Sequence, residues 1–155
     1  VDLARSAIGI GVRQGAAKPA IESADAVKRA LLAARSISYS KTGISGVYFP
    51  TVLARLGIAE AVKSKTIIPA AGIPVGEVVA KGDAEIGVQQ ISELLPVPGV
   101  EVVGPLPAEL QKTTVFSAGI FVGAKEPHIA KALVAALTSA AARPLYIRKG
   151  MEPVG

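Results

Sequence analysis

Ile37-Ser38-Tyr39-Ser40-Lys41-Thr42-Gly43-Ile44-Ser45-Gly46-Val47-Tyr48 is the stretch that decides the fold. Ile37 to Ser40 reads as a short strand, and Gly43 to Leu56 as a helix entered through glycines, with Pro50 beyond its first turn predicting irregularity early on. A strand that passes through small residues into a helix is half of a βα unit, and the alternation continues on both sides. Upstream, Ala7-Ile8-Gly9-Ile10-Gly11-Val12 reads as a strand. Ser23 is placed to cap a helix over Ala24 to Ala34, where Val27, Ala30, Leu31 and Ala34 share one face and Asp25, Lys28 and Arg29 point away. Downstream come a strand at 66–69, a helix at 73–80 stopping near Gly82, and strands at 85–89, 100–103 and 115–122. Pro127 opens a helix whose buried face is Ile129, Leu133, Ala136 and Leu137, and a last helix runs through Leu145 and Ile147 to Gly150. The pattern predicts an α/β fold with a mostly parallel central sheet and helices on both faces.

A chain of 155 residues is expected to form a single domain, 1–155, with its own core. Half the residues are hydrophobic and only 4% are aromatic, so that core has to be built from Ala, Val, Ile and Leu. The absence of cysteine excludes disulfides and thiolate metal sites but leaves the compartment open. A net charge of +5 is scattered from Arg5 to Lys149, with Lys28-Arg29 and Arg148-Lys149 the only adjacent basic pairs. A phosphate footprint needs clustered cations, so no nucleic-acid partner is expected. No stretch has the roughly 18 uninterrupted apolar residues of a membrane span, and Val1-Asp2-Leu3 has no signal-peptide character.

His128, beside Pro127, is the lone imidazole and reads as a surface residue. With no cysteine and dispersed carboxylates, neither a metal site nor a cofactor is predicted. No serine sits in a Gly-x-Ser-x-Gly turn, and Gly43-Ile44-Ser45-Gly46 lacks the Lys-Ser or Lys-Thr of a nucleotide phosphate loop. What remains is the junction itself. The helix start offers unpaired amides and the positive end of a dipole, while Ser40, Thr42 and Ser45 add hydroxyl donors, so a small anion fits there. The plainer reading is that Thr42 or Ser45 is an N-cap and the glycines serve a tight turn. A second segment, Glu85-Ile86-Gly87-Val88-Gln89-Gln90-Ile91-Ser92, ends another strand with two amides and a serine, and Gln90 and Ser92 can face the same cleft.

Ala4-Arg5-Ser6-Ala7-Ile8-Gly9, Tyr39-Ser40 before Gly43-Ile44-Ser45-Gly46-Val47-Tyr48, Leu56-Gly57-Ile58, Val79-Ala80-Lys81-Gly82-Asp83-Ala84-Glu85-Ile86-Gly87 and Lys149-Gly150-Met151-Glu152-Pro153 occur in this order with fitting gaps. In this the chain resembles the molybdate-binding type of solute-binding protein of ABC transporters, with a type II periplasmic-binding-protein fold. The resemblance implies two lobes, this chain being the second and lacking the first lobe's beginning. Residues 7–12 and 115–122 would be hinge strands, and the helices at 126–150 would pack on the missing lobe. It implies periplasmic or extracytoplasmic capture of a small anion, without chemistry, and delivery to an ABC permease. The ligand would be a molybdate- or tungstate-like oxyanion or a small organic acid. Its site would comprise Ser40, Thr42, Gly43, Ile44, Ser45, Gly46 and Gln90, the last standing where well-known molybdate binders have a tyrosine.

Two other functions fit such a fold. One is the effector-sensing domain of a transcriptional regulator. The other is an enzyme with an acid or base lining the cleft, for which Asp83 and Glu93 are nearest but read as solvent-facing. The face built from Ile129, Leu133 and Leu137 needs a partner, which makes homodimerisation or strand exchange a further expectation.

Overall fold

The computed structural model describes residues 1–154. Along the chain run strands β1 (Asp2–Ser6) and β2 (Ile8–Arg13), helix α1 (Ala24–Ala33), β3 (Ile37–Tyr39), α2 (Gly43–Arg55), α3 (Ala59–Lys63), β4 (Thr66–Ile67) and α4 (Val75–Lys81). They are followed by β5 (Ile86–Gln90), α5 (Ile91–Leu94), β6 (Val100–Pro105), a 3-10 turn (Ala108–Leu110), β7 (Thr114–Ser117), α6 (Pro127–Leu137), α7 (Arg143–Arg148) and β8 (Glu152–Pro153).

These elements form two compact units rather than the single domain expected. The larger unit spans Ala7–Lys112, and the smaller joins Val1–Ser6 to Thr113–Gly155. Length and composition set how much core a chain can build, but not where the chain leaves one core for another.

In the larger unit five strands lie in the order β4-β3-β5-β2-β6. β3 is parallel to β4 and β5, whereas β2 is antiparallel to β5 and β6. Four of the five strands therefore run the same way, as the sequence predicts, and β2 alone is reversed. A strand buried on both faces carries the same apolar run whichever way it points, so direction could not be read from the pattern. One face of the sheet presents Ile8, Ile10, Val12, Ile37, Ile86 and Val88 to Val27 and Leu31 of α1, Phe49, Val52 and Leu53 of α2, and Val62 of α3. Phe49 is fully buried and meets Tyr39 edge-to-face at 5.2 Å.

The other face owes its geometry to missing side chains. A Cβ on Gly87 would lie 2.6 Å from Val79 Cγ2, and one on Gly9 2.5 Å from Ile91 Cγ1. Glycines in β2 and β5 thus let α4 and the start of α5 sit directly on the sheet backbone.

Local chemistry explains most element ends. The Ser23 hydroxyl accepts from the Ala26 amide at 3.1 Å and caps α1. Gly82, at φ 84°, closes α4 in the left-handed region that glycine tolerates. The irregularity expected at Pro50 does not interrupt α2: the proline removes a single amide, and Phe49, Val52 and Leu53 hold the buried face through that turn. Gln111 stands in for a strand residue beside β2. Its side-chain oxygen accepts from the Ile8 amide at 2.8 Å, and its nitrogen donates to the carbonyls of Ile8 (2.8 Å) and Leu106 (3.1 Å).

The smaller unit is a three-stranded antiparallel sheet, β7-β1-β8, with α6 and α7. Strand β1 was missed because Asp2 and Arg5 interrupt its apolar character. The strand expected at 115–122 is confined to Thr114–Ser117, and Ile120, Phe121 and Val122 are exposed outside it. Helix α6 buries no residue, and Ile129 and Leu133 are both exposed. His128 lies at the surface, 3.4 Å from the Glu126 carboxylate. Among the described residues, no helix is long and apolar enough to cross a membrane.

Candidate ligand-binding cleft

Three residues separate the end of β3 from the start of α2, and the turn they make forms one wall of a cleft of about 750 Å³ within the larger unit. Thr42 is the N-cap in an extended conformation (φ −119°) and makes no side-chain cap, so the first amides of a 13-residue helix face the cleft with the positive end of its dipole. Gly43 takes φ 85° to turn the chain into the helix, and a Cβ there would meet nothing within 4 Å. The Ser40 hydroxyl donates to the Thr42 carbonyl at 2.5 Å and holds the turn together.

The structure gathers Ser40, Thr42, Gly43, Ile44, Ser45 and Gln90 around this cleft. It does not bring Gly46 there. Gly46 is buried against Ser40, where a Cβ would lie 2.2 Å from the Ser40 carbonyl oxygen and 2.5 Å from its hydroxyl. The residue is glycine so that the helix can touch the strand end, a packing role that the sequence motif does not distinguish from amide donation.

The facing wall comes from the end of β5 and from α5, through Gln89, Gln90, Ser92 and Glu93. Gly72, Ile73 and Pro74 with Glu77 of α4 add a third side, and Pro96, Val97 and Pro98 complete it. Among the described residues, lysine and arginine are missing from this lining, and its ionisable side chains are Glu77 and Glu93. Glu77 is half exposed and leans toward Lys81, 3.9 Å away.

Of the two acids the sequence offered, Glu93 is the one that lines the cleft. Glu93 is exposed, as Asp83 is, yet partial desolvation of its carboxyl pushes the pKa above the ordinary carboxylate value, against the opposing hydrogen bonds from the Gln90 backbone and the Gln89 side chain. The missed signal was the spacing: Gln90 is the N-cap of α5, and an acid at the third helical position reaches back to the cap amide, as in a capping box. Asp83, the other acid considered, is exposed beyond α4 and does not line the cleft.

The model of the family described as bacterial extracellular solute-binding protein matches residues 1–152. This chain belongs to that family. An aconitate isomerase from Pseudomonas sp. is 42% identical over 156 residues, covering 99% of this chain and 58% of that protein, so the chain spans little over half the length of this curated relative. Among solved structures, a substrate-binding domain assigned to a molybdenum ABC transporter of Clostridium difficile superposes with a TM-score of 0.72 at 17% identity, covering all of this chain and 66% of that one. A periplasmic thiamin-binding protein gives a TM-score of 0.67 at 15% identity, over 100% of this chain and 53% of its own. At such identities these likenesses establish the fold alone: α/β, of the type II periplasmic-binding-protein class.

The expectation of a protein without chemistry is overturned. A relative 42% identical across nearly the whole chain bears the name of an enzyme. The sequence named Glu93 as a possible acid or base but could not show the partial desolvation and hydrogen-bond partners that only packing gives it.

Proposed function

We propose that this chain supplies one wall of the active cleft of an isomerase built on the solute-binding fold, acting on aconitate or a closely similar small tricarboxylic acid. The observation that carries the reading is the placement of Glu93, a carboxyl with a raised pKa, in the cleft that the amide-rich start of α2 also lines. The 42% identity to an aconitate isomerase supports the choice of substrate. A cleft of about 750 Å³ suits a branched organic acid better than a tetrahedral oxyanion.

The chemistry needs only a proton carrier and a place for charge. Aconitate has a methylene group between a carboxylate and a carbon–carbon double bond. Glu93 takes a proton from that methylene, and the electron pair spreads over the three-carbon unit and into the carboxylates. Returning the proton to the opposite terminal carbon moves the double bond, and the geometry of the new bond depends on the conformation held in between. Atoms and electrons balance without a cofactor. Amides at the start of α2, with the hydroxyls of Ser40, Thr42 and Ser45, stabilise the carboxylate oxygens onto which charge moves. A desolvated glutamate is a stronger base than a solvated one, in keeping with this role.

Membership of an extracellular family supports an extracytoplasmic location. A permease of the ABC type remains the partner proposed for any ligand that is delivered rather than converted.

The test is incubation of the protein with cis-aconitate in D2O, followed by proton NMR. Appearance of the trans isomer, with the methylene signal changing as solvent deuterium enters, is the expected result. Saturable binding of aconitate with no interconversion would overturn the reading.

A further inference from the structure

The side-chain amide of Gln89 poses a problem that packing does not solve. Gln89 is 8% exposed, and its oxygen is buried with no hydrogen-bond partner. A stranded buried carbonyl is costly, and native structures rarely keep one without a reason. The reason lies at the other end of the same group, where the Gln89 side chain hydrogen-bonds to the Glu93 carboxylate. Only the amide nitrogen can donate to a carboxylate, so the oxygen has to point the other way. Turning the amide over would set oxygen against oxygen. The backbone adds rigidity, since Gln89 is the penultimate residue of β5, paired across from Gly9, and Glu93 follows within the first turn of α5.

We propose that Gln89 is a positioning residue, whose buried amide fixes the Glu93 carboxylate in the cleft in one orientation, at the expense of its own carbonyl. The proposal rests on the reading of Glu93 as the proton carrier, and it adds the residue that sets the direction of that carrier. Few other charges face Glu93. From α4 there is Glu77, itself beside Lys81, while the start of α2 and residues 96–98 contribute none to the cleft lining. The Gln90 backbone amide is the second donor to Glu93, and no side-chain substitution removes it.

The experiment compares the protein with its Gln89→Met variant, which keeps length and volume while deleting both the donor and the stranded acceptor. Exchanging a half-satisfied polar group for an apolar one of similar shape is close to neutral for folding, and Gln89→Leu serves as a second variant. Carbon-13 NMR of the Glu93 carboxyl, without substrate, gives the titration midpoint directly, and the pH profile of kcat/KM for aconitate gives the kinetic one. The expected result is an upward move of the Glu93 midpoint in the variant, a matching move of the acidic limb of kcat/KM, and a fall in kcat that exceeds any rise in KM. An unmoved midpoint in a folded variant overturns the proposal. A moved midpoint in a protein that interconverts no aconitate at any pH overturns the proposed function instead, and leaves the Gln89–Glu93 pairing established.

Discussion

The amide of Gln89 reaches the carboxylate of Glu93 across the corner where β5 turns into α5, so a strand that ends the sheet and a helix of four residues share one functional group. The sheet holds Gln89 rigidly, and Glu93 inherits that rigidity at the rim of a cleft whose facing wall is the start of α2.

Replacing the base while keeping its shape separates binding from chemistry. Glu93→Gln is expected to lower kcat for aconitate isomerisation by about 10²- to 10⁴-fold, the usual contribution of a positioned proton carrier. Binding should survive or tighten, because a carboxylate that repels an anionic ligand is gone. Single-turnover kinetics with calorimetric titration would show both, and a variant of unchanged kcat would remove Glu93 from the reaction.

The raised pKa of Glu93 fixes the sign of two pH effects. As a base it must be ionised, so kcat/KM should climb with pH through a value above the ordinary carboxylate range. For stability the direction is opposite. The folded state holds the proton more tightly than the unfolded one, so Glu93 costs nothing below its unfolded pKa and becomes progressively destabilising as pH rises through the folded value. Urea unfolding across this range should show Glu93→Gln gaining on the parent protein as pH increases.

Gly46→Ala tests the contact between α2 and the end of β3. The added methyl would sit 2.2 Å from the Ser40 carbonyl oxygen and 2.8 Å from the carbonyl carbon, so backbone has to move. Overpacking of this kind typically costs about 1–3 kcal/mol. A lower urea midpoint should be accompanied by weaker aconitate binding, because the displaced segment carries Ser40 and Thr42.

Gln111→Ala probes the side chain that stands in for a strand beside β2. Without its carboxamide the Ile8 amide loses its 2.8 Å acceptor, and leaving a buried donor unsatisfied costs about 1–3 kcal/mol. The loss should appear in the chemical denaturation midpoint, with kcat for aconitate little changed.

Much of this architecture was legible in the sequence because it rests on local chemistry. Ser23 capping α1, Gly82 ending α4 and the small residues leading into α2 each act over a few bonds. The α/β class, the helices on both faces of the sheet and the gathering of Ser40, Thr42, Gly43, Ile44, Ser45 and Gln90 follow from such signals. Tertiary structure alone decided the rest. The antiparallel course of β2 and the division into two units depend on which distant segments meet, which a strand's own apolar run does not record. Gly46 and Gly43 look alike in the chain, yet one is pressed against Ser40 and the other opens on the cleft. Glu93 is solvent-facing, as its sequence suggests, but its partners and the partial desolvation that raises its proton affinity arise only when Gln89, Gln90 and the cleft walls are folded around it.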